Sequence, residues 1–202
     1  MTFSIIARCP KTLALGVATA SASIAVGNRV PHVKAGVGAI ATQAKTNIKY
    51  GIEGLKLLEM GFSPKKTLET LLEKDSEREE RQVVMIDAQG RIAAFTGRKT
   101  LEYKGHIVGE NYAVAGNLLA SKRVIEAMAI AFEESKGETL VERLLKALEA
   151  GQKAGGDRRG RASAALKVCN DNKRIISLKV DLDPHPIKEL RKIISKTYKT
   201  KM

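Results

Sequence analysis

Two kinds of apolar spacing alternate along this chain, and their order restricts its fold more than any other feature. Residues 2–9 alternate polar and apolar, turn through Pro10-Lys11-Thr12, and return as the strand Leu13 to Ala20. Ala35 to Gln43 reads as another strand. Helical spacing then takes over from about Ile48 to Met60, through Ile52, Leu55 and Leu58, with Gly61 as a stop. Ser63-Pro64 supplies an N-cap and a first-turn proline for a second helix, to about Lys74, with Leu68, Leu71 and Leu72 as its apolar stripe. The dense charges from Glu73 to Arg81 are expected to form a solvated connection.

A hairpin follows, Gln82 to Ile86 and Arg91 to Thr96 around Asp87-Ala88-Gln89-Gly90, then one further strand within Gly105 to Gly116. Next comes a second helical pair. Ser121 is expected to cap a helix carrying Val124, Ile125, Met128 and Phe132, and Glu138 to Gln152 repeats Leu140, Leu144 and Leu148 every four residues. Strands Ala164 to Cys169 and Arg174 to Val180, joined by Asn170-Asp171-Asn172-Lys173, precede a basic helix at about Ile187 to Lys196. Hairpins alternating with pairs of helices argue against a doubly wound parallel sheet, where single helices separate single strands. They predict an α+β fold, a four-layer αββα sandwich of two antiparallel sheets flanked by helices, in one domain over residues 1–202.

Composition excludes several roles. No apolar run reaches the roughly 20 residues of a membrane span, and no basic segment followed by an apolar stretch opens the chain. A soluble cytoplasmic protein is expected, with no membrane partner. Cys9 and Cys169 sit in apolar strands as small hydrophobes, and His32, His106 and His185 are scattered, so no metal site and no cofactor are expected. The net charge of +13 invites a nucleic-acid reading. From Pro184 onward, however, six basic residues face only Glu189, and the four Phe and four Tyr do not interleave with them as a stacking platform would. A solvated basic helix accounts for the charge, and nucleic acid is not an expected partner. The many Lys and Glu residues also fit a heat-adapted source.

Candidate chemistry begins at Thr2. If Met1 is removed, this threonine would carry both a hydroxyl nucleophile and an α-amine with a pKa of about 7.7 to 8.0 that could accept the hydroxyl proton. Ordinary chains also begin Met-Thr, so the dipeptide needs support from elsewhere. Gly36-Val37-Gly38-Ala39-Ile40-Ala41 matches a loose dinucleotide-turn pattern, but close packing within a strand explains its glycines more simply. Arg158, Arg159 and Arg161, set among glycines, repel one another unless an anion is near, and arginine grips carboxylates bidentately. A carboxylate-bearing substrate would fit them, with Arg161 the favoured contact; equally, they could pair with Asp157 and pin their loop. Thr42 and Gln43 could face the same cleft or satisfy backbone groups at a sheet edge.

Four blocks in order, Thr2-Phe3-Ser4-Ile5-Ile6-Ala7-Arg8, residues 35–44, residues 84–97 and residues 154–166, resemble the domain of unknown function 1028 family. That family is classed as similar to N-terminal nucleophile hydrolases, the superfamily of proteasome catalytic subunits and of amidases acting on asparagine or glutamine side-chain linkages. The resemblance implies that Thr2 occupies the nucleophile position and that Asp157 and Ser163 help to orient its amine. No counterpart of the lysine beside the nucleophile in proteasome-like sites is found. For the oxyanion, backbone amides near Gly36-Val37-Gly38 or the Asn117 side chain are candidates, although Asn117 could instead cap the following helix.

These readings converge on an amide-bond hydrolase that uses Thr2 through an acyl intermediate and acts on a small carboxylate-bearing amide or peptide, with a homo-oligomer expected. The competing reading is a non-catalytic relative whose cleft binds an anionic small molecule or peptide while Met1 stays attached.

Overall fold

A computed structural model describes residues 2–170 and 174–199, excluding the side chains of 197–199. The first strand, β1 (Thr2–Arg8), runs between β2 (Leu15–Ser21) and a later strand, antiparallel to both. After it come β3 (Pro31–Lys34), β4 (Gly38–Ala44), helices α1 (Lys49–Glu59) and α2 (Pro64–Glu73), and the hairpin β5 (Arg81–Asp87) and β6 (Ile92–Thr96). Then follow β7 (Gly105–Gly109), β8 (Tyr112–Asn117), α3 (Arg123–Glu134), α4 (Leu140–Lys153), β9 (Ser163–Cys169), β10 (Ile175–Val180) and α5 (Pro186–Lys199). Six strands form one antiparallel sheet in the order β10-β9-β2-β1-β8-β7, and four form the other, β3-β4-β5-β6.

The period-two alternation of each strand sorts its side chains between layers. In β1, Phe3, Ile5 and Ala7 pack with Met128, Phe132, Leu144 and Leu148 under α3 and α4. Ile6 points the other way and meets Val17, Ala39, Ala41, Val84 and Ile86 between the sheets. The outer face of the smaller sheet, Ile40, Val83 and Met85, is covered by Tyr50, Leu58, Leu68 and Leu71 of the first helical pair. Each fully buried Ile or Leu contributes about 1.5–3 kcal/mol, so the three apolar layers together hold the stack. The chain is therefore an αββα sandwich, as the spacing predicts.

Four local expectations are corrected. Pro31–Lys34 is a strand, and Gly36, at φ 70°, lies in the turn of a hairpin into β4, which begins at Gly38, rather than inside a strand from Ala35; the Val37 amide donates to the Lys34 carbonyl. Gly105 to Gly116 is two strands, because Asn111 adopts φ 61° and turns the chain between them. Ser121 does not cap α3: Lys122 occupies the cap position without a side-chain bond. The charges before β5 are not merely solvated. Arg81, 7% exposed, pairs with Asp75 and Glu77, each at 2.8 Å, and the Tyr50 hydroxyl donates to Asp75.

Ser63 does cap α2, accepting from the Lys66 amide, and Thr139 caps α4 in the same way. The basic α5 is docked rather than free: Ile187, Leu190 and Ile194 join the helical layer, and Arg191 bridges Glu142 and Glu149 of α4. The expected turn at 171–173 lies outside the described residues. Among the described residues, no helix is long and apolar enough to cross a membrane.

Candidate functional site

At the Thr2 end, the layer between the sheets changes from apolar to polar. Register places Ser163, Ser21, Thr2 and Asn117 side by side across β9, β2, β1 and β8, all on the face that meets the smaller sheet. The next inward position of β1 is Ser4, opposite Thr19. From the facing sheet, Gln43 of β4 lies opposite Gln82 of β5.

These groups form one buried network. The Ser4 hydroxyl donates to Gln43 Oε1, and Gln43 Nε2 donates to Gln82 Oε1 at 2.7 Å and to the Thr2 carbonyl at 3.4 Å. Asn117 Nδ2 also reaches Gln82 Oε1, at 2.7 Å, while Gln82 Nε2 is shared among the Gly116 and Gly105 carbonyls and Thr96. Asn117 Oδ1 is buried without a partner. A buried acceptor left unmade costs about 1–3 kcal/mol, so this atom marks a place where a donor belongs.

Thr2 itself is 6% exposed, and its hydroxyl donates to Ser21 Oγ at 3.3 Å. Beside this row, Gly156, at φ 60°, turns the chain after α4 and delivers Asp157, whose backbone bridges Leu119 just past Asn117. The Asp157 carboxylate accepts from the Ala22 amide at 3.0 Å and from Arg159 through its amide, Nε and Nη2 at 3.0, 3.1 and 2.8 Å. Burial pushes this carboxyl up, but the Arg159 side chain and the two amides outweigh it and hold its pKa below the usual carboxylate value. Arg159, 41% exposed, also reaches Ser23 Oγ and sets a positive charge at the rim.

The predicted residues separate into those brought together and those that are not. Thr2, Asn117, Asp157, Arg159 and Gln43 converge. Ser163 lies two strands from Thr2, about 10 Å away. Its hydroxyl is engaged by the Ser23 carbonyl and the Val26 amide, so it shapes the 22–26 loop rather than orienting the Thr2 amine directly. Thr42 faces the opposite, helical side of β4 and donates to the Asn47 carbonyl.

Arg161 points toward His185 just before α5, and Arg158 is exposed with its amide on the Leu118 carbonyl, so of the three it is the Arg159 side chain that joins the Asp157 cluster. The amides at Gly36-Val37-Gly38 sit at the far end of β4, about 17 Å along the strand from Gln43, and cannot serve an oxyanion at Thr2. Asn117 is a strand residue, not a helix cap; one N–H of Nδ2 is held by Gln82, which leaves the second N–H and the buried Oδ1.

The sequence reading missed Gln82, Ser21 and Ser23. A signal was available for Gln82 and Ser21: a glutamine just before the apolar run of β5, and small hydroxyl residues at alternate positions of β1 and β2. Three non-glycine residues with positive φ flank the site, Ala25 (51°), Ala44 (70°) and Leu118 (50°). Each costs on the order of 1 kcal/mol, and such strain gathers where geometry serves function. Among the described residues, no three His, Cys, Asp or Glu side chains group to hold a metal.

A family model described as a family of unknown function, DUF1028, matches residues 2–190. Protein SPO2555 from Silicibacter pomeroyi, a DUF1028 crystal structure, is 34% identical over 98% of this chain and 86% of that one, with a TM-score of 0.91. Anbu, an ancestral β-subunit from Yersinia bercovieri, aligns over 98% of this chain and 95% of that one at 11% identity and a TM-score of 0.44, too low to carry an inference. No curated protein matches.

Proposed function

Because the chain belongs to DUF1028, a family described without an activity, we propose its function from the site itself: amide-bond hydrolysis by Thr2 once removal of residue 1 frees its amine. The observation that carries this reading is the placement of Thr2 at the polar end of the inter-sheet layer, between the hydroxyl of Ser21 and the unpartnered buried Oδ1 of Asn117.

In the first step, Thr2 Oγ1 attacks the amide carbon while its proton passes to the α-amine. Collapse of the tetrahedral adduct breaks the C–N bond, and the leaving amine takes that proton. Water, deprotonated by the same amine, then hydrolyses the acyl-threonine ester. An acceptor such as Asn117 Oδ1 would hold the amine's N–H and aim its lone pair at Oγ1. Asp157, on the loop beside this row, would bias the amine toward its charged form, and its engagement by Arg159 and Ala22 would temper that tendency. Arg159 at the rim suits a substrate carboxylate.

Intact mass spectrometry of protein from its native host should show Thr2 at the terminus. A panel of carboxylate-bearing amides should then be turned over, with Thr2→Ala reducing kcat by about 10³-fold or more and Thr2→Ser retaining part of it. Turnover undiminished in Thr2→Ala would move the chemistry elsewhere. The low exposure of Thr2 favours a second reading, a non-catalytic binder of small anions. That reading is distinguished by anion binding without turnover that survives Thr2→Ala and is lost in Arg159→Gln.

A further inference from the structure

A cavity of about 990 Å³ lies not beside Thr2 but at the opposite end of β1, between the large sheet and its helices. Its apolar wall includes Phe132, Leu140, Val141, Val168, Ile176 and Ile194. Cys9 and Arg143 also line it. A cavity of this size and lining suits a small-molecule ligand, whose orientation a few polar groups would set.

Arg143 is the unusual member. Its guanidinium lies over the Phe132 ring at 3.8 Å from the centroid, and Nη2 donates to the Phe132 carbonyl at 3.0 Å. Nε is buried with no acceptor. Among the described residues, no carboxylate lies within ion-pair distance of it, whereas the nearby Glu138 and Glu142 are taken by Lys146 and Arg191. Burial accordingly depresses the Arg143 pKa. A partly buried cation with an orphaned Nε, whose nearest carboxylates are engaged elsewhere, carries a cost that a carboxylate entering from the cavity would remove. Among the described residues, the other cations at the cavity without an ion pair are Arg8, Lys11 and Lys136, against a single such carboxylate, Glu110.

We propose that this cavity binds an apolar monocarboxylate, its hydrocarbon against the Phe132–Ile194 wall and its carboxylate on Arg143. Cys9 provides an internal reporter. Burial pushes its thiol up, but hydrogen bonds at Thr12 and Lys11 with the Arg143 charge bring it below the ordinary value, so it can be alkylated when the cavity is open. Cys169 is buried and serves as the unreactive control.

The test uses the full-length protein with dodecanoate, below its micelle-forming concentration, and 1-dodecanol as the uncharged twin. Dodecanoate should bind saturably and about tenfold or more tighter than dodecanol, and should slow iodoacetamide alkylation of Cys9 in proportion to occupancy. In Arg143→Gln, the preference for the carboxylate should fall to within about twofold. Equal affinity of the two twins, absence of binding, or saturation without protection of Cys9 would overturn the proposal. If Arg143→Gln does not fold, the two ligands and the Cys9 footprint on the natural chain decide alone.

Discussion

Replacing Asp157 with asparagine tests the architecture of the site at its most demanding point. The carboxylate is fully buried and, among the described residues, accepts from the Ala22 amide and Arg159 Nη2 on one oxygen and from the Arg159 amide and Nε on the other. Asparagine keeps one acceptor for the Arg159 amide and Nε, but turns an NH₂ toward the Ala22 amide and Arg159 Nη2, both donors. A hydrogen bond to a charged group is worth about 1.5–3 kcal/mol, and the Ala22 bond is lost in full. The Arg159 share is smaller, because that side chain is 41% exposed and solvent screens it to about 0–1 kcal/mol. The expected loss is about 2–4 kcal/mol, which at this chain length lowers Tm by roughly 5–15 °C.

The pH dependence has a definite sign. The Asp157 pKa is depressed in the fold, so its contribution is fully present above the unfolded carboxylate value of about 3.9 and is lost as pH falls toward the folded value. Urea denaturation of both proteins at pH 7 and at pH 3 should show a gap that narrows in acid. A variant within about 0.5 kcal/mol of the natural chain at pH 7, or a gap of constant size, would refute the reasoning.

Other perturbations address the scaffold. Gly51→Ala should destabilise by about 1–2 kcal/mol despite the better helix propensity of alanine, because the new methyl would clash with the His32 ring; a rise in Tm would show that the ring yields freely. Ala44→Gly, at φ 70°, should stabilise by up to about 1 kcal/mol by relieving left-handed strain, read by urea denaturation, whereas a loss of stability would mean that its methyl packing matters more. Arg81→Leu should cost about 3–5 kcal/mol by stranding Asp75. It should also return the Asp75 pKa from about 2 toward its ordinary value by NMR titration, so that the stability now lost only as pH falls from about 4 toward 2 disappears from the profile; an unmoved Asp75 titration would assign its depression to other neighbours.

The layers were legible because they follow from period-two and helical spacing, and each apolar residue of β1 or α4 speaks for its own face. The hairpin at Glu110-Asn111 was not, since the single residue that makes it, Asn111, adopts a left-handed conformation that asparagine tolerates but does not announce. The site was legible at its ends, Thr2 and Asp157, where a loop or a strand start stands out. Its middle was legible only in part: Gln43 and Asn117 stood out as candidates, but their meeting at Gln82 depends on the β4–β5 register, set by residues remote from all three. Choosing Arg159 over Arg161 likewise required the turn at Gly156, which aims one guanidinium inward and lets the other reach His185.

Greasy surfaces can slide past one another at little penalty, whereas the amides of Gln43, Gln82 and Asn117 find their acceptors in a single alignment. A shift of either sheet by one residue would break the bonds that Gln43 and Gln82 make across the layer. The polar end of the sandwich therefore works as a key that indexes the two sheets, and the same groups that frame Thr2 keep its surroundings from drifting.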